Sequence, residues 1–156
     1  MTGRHQNAIN NLHQLILSGA LESLSLTQEI GAELMGIVDG ISLGDESLLE
    51  RVGVFVNRNS IAYRFNQLRR KVASYIGKRK ALIDIGNHHL RARGSATVVP
   101  QTDYGLSGCK TDSDTSHTNT DWDEHMSDAY ARMQASIEGV EADVSRCQDL
   151  LLAEPA

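Results

Sequence analysis

Apolar residues recur at intervals of three and four along most of this chain, and period-two alternation is nowhere sustained. That spacing predicts helices rather than strands. Proline occurs only at Pro100 and Pro155, so glycines must mark whatever breaks the first 99 residues contain.

The pattern predicts a first helix over about 5–18, with Ile9, Leu12 and Ile16 on one face, weakened or ended at Gly19. A second is expected over about 24–40 along Ile30, Leu34, Ile37 and Ile41, opened by a capping box of Ser25 and Gln28. Gly40 to Asp45 reads as a turn. Gly36, Gly40 and Gly44 recur every fourth residue, but with Glu33 and Asp39 nearby they read as a weak helix end rather than a close crossing in lipid. Ser47 and Glu50 form another capping box, with Asp45 and Glu46 suited to the positive helix end. From there a helix is expected along Leu48, Val52, Phe55, Ala62, Phe65, Val72 and Ile76, on a face interrupted by Asn59 and Arg69. Gly77 is the expected stop, followed by a short basic helix over about 79–90.

Residues 94–120 are rich in Ser, Thr, Asp and Gly and show no apolar period. Such a stretch buries too little surface to offset ordering, so it reads as a flexible linker. Asp121 and Glu124 then suit a helix start. Met126, Tyr130, Met133, Ile137, Val140, Val144, Cys147 and Leu151 follow in unbroken 4-3 alternation. Tyr130, Ile137, Val144 and Leu151 take the a positions of a heptad, and Met126, Met133, Val140 and Cys147 the d positions. These eight form the expected partner-binding seam, on a helix on the order of 40 Å long. The partner is either another chain or sister helices of the same bundle.

The expected fold is therefore all-α: long amphipathic helices forming a helical bundle or coiled coil, with a disordered linker. Its parts are a helical region over 1–93, the linker over 94–120 and a C-terminal coiled-coil helix over 121–152. Seven aromatics in 156 residues favour an extended helical assembly over a dense globule.

Charge adds a second pattern. Residues 1–50 carry one base and seven acids; 51–93 carry eleven bases and the single acid Asp84; 94–156 carry three bases and twelve acids. The middle block repels itself unless anions lie close by. The acidic flanks of the same chain are the first candidates, ahead of an acidic partner or phosphate. Arg69, Arg70, Lys71, Lys78, Arg79 and Lys80 make up the candidate anion-binding patch, with Phe55, Tyr63, Phe65 and Tyr75 interleaved. On that alternative reading the segment binds nucleic acid or anionic lipid, with affinity falling steeply as salt rises. No groove-reading motif accompanies it.

Catalytic signatures are missing. There is no P-loop, no Gly-rich dinucleotide fingerprint and no nucleophile elbow. Cys109 and Cys147 read as free thiols. Cys109, His117 and His125 are spaced eight apart, from the linker into the start of the last helix, and the adjacent His88 and His89 cannot turn both rings to one ion from a helix. No metal, cofactor or enzymatic activity is expected. Thr111, Ser113, Thr115 and Thr118 lie among Asp112, Asp114 and Asp121, where acid-directed phosphorylation competes with a merely solubilising role. No apolar run reaches the roughly 20 residues of a membrane span, and the N-terminus lacks a secretory core. A cytoplasmic location is expected, with peripheral membrane and nuclear sites open.

The run Ile30-Gly31-Ala32-Glu33-Leu34, and Leu49-Glu50-Arg51-Val52 after it, resembles the approach to the centre of a SNARE helix. The resemblance spans about 24–76 and implies a four-helix bundle in membrane trafficking. It departs from that pattern at the central layer, where Ile37 stands in place of Gln or Arg. Gly44 and Arg58 also occupy layer positions, and no apolar anchor follows. The function expected overall is a non-catalytic assembly or tethering subunit that pairs with protein helices, its own or another chain's.

Overall fold

With no proline before Pro100, the described residues of the first two-thirds of the chain run in two long helices. In the computed structural model, α1 spans Gly3–Ser42, α2 spans Leu48–Ala92 and α3 spans Asn119–Leu152. The structure describes residues 3–42, 48–105 and 119–153, and no strand occurs among them. The expected turn near 40–45 and the Ser47 cap fall largely on 43–47, outside the described residues. So do the linker positions from 106 to 118, including Cys109, His117 and the candidate phosphorylation sites. The side chains from 37 to 62, among them Ile37, Ile41 and Phe55, are likewise not described.

Two expected breaks are absent. Gly19 lies inside α1 and Gly77 inside α2, so the helices expected over 5–18 and 24–40 are one, and the basic stretch 79–90 continues α2. A glycine within a helix costs only about 1 kcal/mol, which a continuous buried face readily outweighs. Gly19 is buried against α2, whereas Gly77 has open space around it. The real stop is Gly94. Its φ of 84° permits the Ser95 N–H to reach the Leu90 carbonyl at 2.9 Å and the Gly94 N–H to reach that of Arg91 at 3.0 Å. This pair of bonds is the left-handed helix cap that glycine favours.

Side-chain pairings set the helix directions. Glu29 meets Lys71 and Glu33 meets Arg64, so α1 and α2 are antiparallel. Arg79 meets Glu141 and Arg93 reaches Leu151, so α3 runs parallel to α2. Parallel neighbours require a connection that returns along the bundle. Residues 95–104 begin that return. Asn87 Nδ2 donates to the Val99 carbonyl and Asn87 Oδ1 accepts from the Val99 N–H, both at 2.9 Å. Gln101 donates to the Lys80 carbonyl at 3.3 Å and also to Asp84. Tyr104 donates to Asp143 at 2.6 Å, and its carbonyl accepts from Ser136 Oγ at 2.6 Å. Val99 is buried, with Val98 and Tyr104 packed on the core. The flexible reading of 94–120 therefore does not describe 95–104, which form a strap fixed by contacts distant in sequence.

A single hydrophobic cluster joins all three helices: Leu12, Ile16, Leu26 and Ile30 from α1, Phe65 through Leu90 from α2, and Ala129 through Leu151 from α3. The division at residue 93 thus separates segments, not independent cores. α3 buries more than an a/d seam, because Ala129 and Ser136 at g positions are covered too. A helix flanked by two sisters must present such a widened face.

Candidate functional site

The most connected side chains meet where the three helices cross. Arg79 occupies a core position of α2 and is 3% exposed. Its Nε donates to Glu141 Oε1 at 2.6 Å and its Nη2 to Oε2 at 3.0 Å, a two-pronged pairing with α3. The other guanidinium hydrogens face the carbonyls of Leu15 and Ile16 on α1, at 3.4 and 3.5 Å. One turn away, the Tyr75 hydroxyl stands 2.5 Å from Glu141 Oε1 and 2.8 Å from the Gly19 carbonyl. Burial, reinforced by the hydrogen bond to Glu141, raises its pKa well above the usual phenol range. The cluster is a satisfied polar layer inside an apolar core, and it fixes helix register.

Of the expected seam, Met133, Ile137, Val140, Val144, Cys147 and Leu151 are buried, Tyr130 packs partly on the core, and the Met126 side chain lies outside the described residues. The structure places these side chains against this chain's own α1 and α2. Burial also raises the pKa of the Cys147 thiol.

The basic patch is divided. Arg79 is buried, Lys71 pairs with Glu29 at 2.5 Å, and Lys80 lies over the Tyr104 ring at 5.8 Å. Arg69 is half-buried with its Nε unbonded, while Arg70 and Lys78 are exposed. The acidic α1 and α3 thus take up several of the cations of the middle block. Of the interleaved aromatics, Phe65 and Tyr75 are core residues and Tyr63 is exposed. Open grooves between α1 and α2 are lined by alternating Glu22, Lys78, Glu29, Lys71, Glu33 and Arg64. Among the described residues, no three His, Cys, Asp or Glu side chains converge as metal ligands would. Nor is any described helix long and apolar enough to cross a membrane. His88 and His89 meet edge to face at 6.0 Å.

A surface that the apolar pattern above passes over lies on the other side of α1. Leu17, Leu21, Leu24 and Met35 are all largely exposed. With Asn10, Gln14, Gln28 and Gly31 they make a 4-3 series in sequence, 10, 14, 17, 21, 24, 28, 31, 35, although Gly31 is half-buried and turned toward Tyr130 of α3. The inward face follows its own series through Ile9, Leu12, Ile16, Gly19, Ser23, Leu26 and Ile30. α1 therefore carries two seams, one used and one open. The same 3-4 spacing marks both faces, and the inner one is the richer in isoleucine.

No protein-family model, curated protein or solved structure matches this chain.

Proposed function

We propose that this chain is a non-catalytic helical docking subunit that joins an assembly by helix-to-helix pairing. The observation that carries the reading is the open apolar seam of α1, set on a bundle whose other described seams close on themselves. An exposed apolar patch of this extent is characteristic of an interaction surface. The polar layer supports the same reading, because it holds α1 rigidly in register and presents the outer stripe preformed, at a lower ordering cost on binding.

The test is binding of the full chain to itself and to proteins of its native cell, compared with a Leu17→Asp/Leu24→Asp variant. The reading expects association that survives nuclease and high salt and is lost in the variant. Association abolished by nuclease or by moderate salt, and unchanged in the variant, would instead favour phosphate binding through Arg70 and Lys78. The membrane-fusion role implied by the SNARE resemblance is not taken into the proposal, since Ile30 at its start is buried within this chain's own core.

A further inference from the structure

The outer seam of α1 is unusual in its charge. In heptad terms Asn10, Gln14, Leu17, Leu21, Leu24, Gln28, Gly31 and Met35 form the a/d core. Its described flanking positions are Asn11, Ser18, Ala20, Ser25, Thr27, Ala32 and His13, the last half-buried and hydrogen-bonded to Gln148 of α3. No Asp, Glu, Lys or Arg falls among them. The acids Glu22, Glu29 and Glu33 lie to one side, where Glu29 and Glu33 pair with Lys71 and Arg64 of α2. Flanking charges ordinarily select a foreign partner or an orientation. A strip without them selects an uncharged apolar partner. The small neighbours Ser18, Ala20, Ser25 and Ala32 also let another helix approach closely.

Resting on the docking reading above, we propose that the partner is a second copy of this chain, with α1 packed antiparallel on α1 about a two-fold axis. Two-fold contacts must be self-complementary, and this strip meets that condition. Aligning Leu21 of one protomer with Leu24 of its partner places Leu17 opposite Gln28 and Asn10 opposite Met35, while Gln14 falls opposite Gly31, which is half-buried beside Tyr130 of its own α3 and adds little contact. Every a position then faces a d position. A like-charged helix would resist meeting its own copy; between Arg4 and Arg51 this segment holds acids alone. The uncharged strip lets the two copies of α1 meet without setting acid against acid. Leu17, Leu21, Leu24 and Met35 are 57%, 73%, 59% and 63% exposed. They offer roughly 500 Å² of surface, and the small and amide neighbours bring this near the ~800 Å² per partner of a specific dimer.

Sedimentation equilibrium of the full chain, from about 1 to 200 µM, provides the test. The expected result is a mass of twice 17.1 kDa, which falls to the monomer in Leu21→Asp with helix content and thermal unfolding unchanged. Mixing Leu21→Glu with Leu24→Lys chains should restore a heterodimer, because the antiparallel alignment sets the two new charges against each other. A monomer throughout, or a dimer that persists in Leu21→Asp, overturns the proposal. A monomer whose stripe captures a different protein, or binds phosphatidylcholine vesicles, overturns it too. The first of these outcomes leaves the docking reading standing; a monomer in which Leu17→Asp/Leu24→Asp changes no binding at all removes both.

Discussion

The guanidinium of Arg79 occupies the space beside Gly19 in which a β-carbon would otherwise stand: such an atom would lie 1.8 Å from Nη1 and 2.3 Å from Cζ. A residue that weakens α1 locally is therefore the one that admits the cation of α2 into the core. Arg79 in turn reaches Glu141 on α3, so a glycine, an arginine and a glutamate on three different helices form one unit.

Gly19→Ala should destabilise the fold even though alanine is the better helix former. The gain in propensity is about 1 kcal/mol. Displacing a buried, doubly bonded guanidinium costs about 3 kcal/mol or more. Urea unfolding should show a net loss of about 2 kcal/mol. A gain in stability would mean that the guanidinium swings aside freely.

Removing one charge of the buried pair should cost more than replacing both by apolar residues. Glu141→Leu is expected to lose about 3–5 kcal/mol, since it strands the buried Arg79, and Arg79→Met less, because the Glu141 carboxylate left behind is 21% exposed. The double variant should lie closer to the parent. A double-mutant cycle measures this directly, and additive losses would show that the two groups do not act together.

Gly86 faces the thiol of Cys147, and a β-carbon there would sit 2.2 Å from Sγ. Gly86→Ala should lower stability by about 1–3 kcal/mol through overpacking. Cys147→Ala in the same chain should recover part of that loss by vacating the site. In the parent, thiol labelling of Cys147 should be slow, because the sulfur is buried and its pKa raised. Fast labelling of the native chain would contradict the packing described.

Alkaline pH should weaken the bundle. Tyr75 and Tyr104 both titrate above the usual phenol range, through burial first and then through hydrogen bonds to Glu141 and Asp143. Above about pH 10 the unfolded chain gives up these protons while the folded chain retains them. The associated stability is intact below that pH and is lost as pH climbs toward the folded values. Urea midpoints between about pH 8 and 11.5 should therefore decline, and the decline should be shallower in Tyr75→Phe/Tyr104→Phe. An identical slope in the two proteins would assign the effect elsewhere.

Asn87 holds the strap by two bonds to Val99. Asn87→Ala should cost about 1–3 kcal/mol and release residues 95–104. Hydrogen exchange at the Val99 amide and proteolysis near Pro100 should both accelerate, with the helices retained. Unchanged protection would show that Val99, Gln101 and Tyr104 hold the segment without it.

The return strap also shows where reading by composition fails. Residues 95–104 look unstructured because a strap has no internal period; its order comes from Asn87, Lys80, Ser136 and Asp143, all distant in sequence. Gly77 and Gly94 make the same point. Both offer a helix stop, but only at Gly94, where the apolar period also ends and Pro100 follows, does the backbone turn to the left-handed region.

Several features were set by the linear order of residues alone: helices in place of strands, the inward seam of α3, and the segregation of acids from bases. They depend on periodicity and propensity, which act over a few turns of chain. Only the tertiary structure decided that Met133 to Leu151 pack on sister helices, that Arg79 is a core residue rather than a phosphate ligand, and that Leu17, Leu21 and Leu24 are left exposed. A helical stripe records that a face is apolar, but which face is covered depends on side chains brought together from tens of residues away.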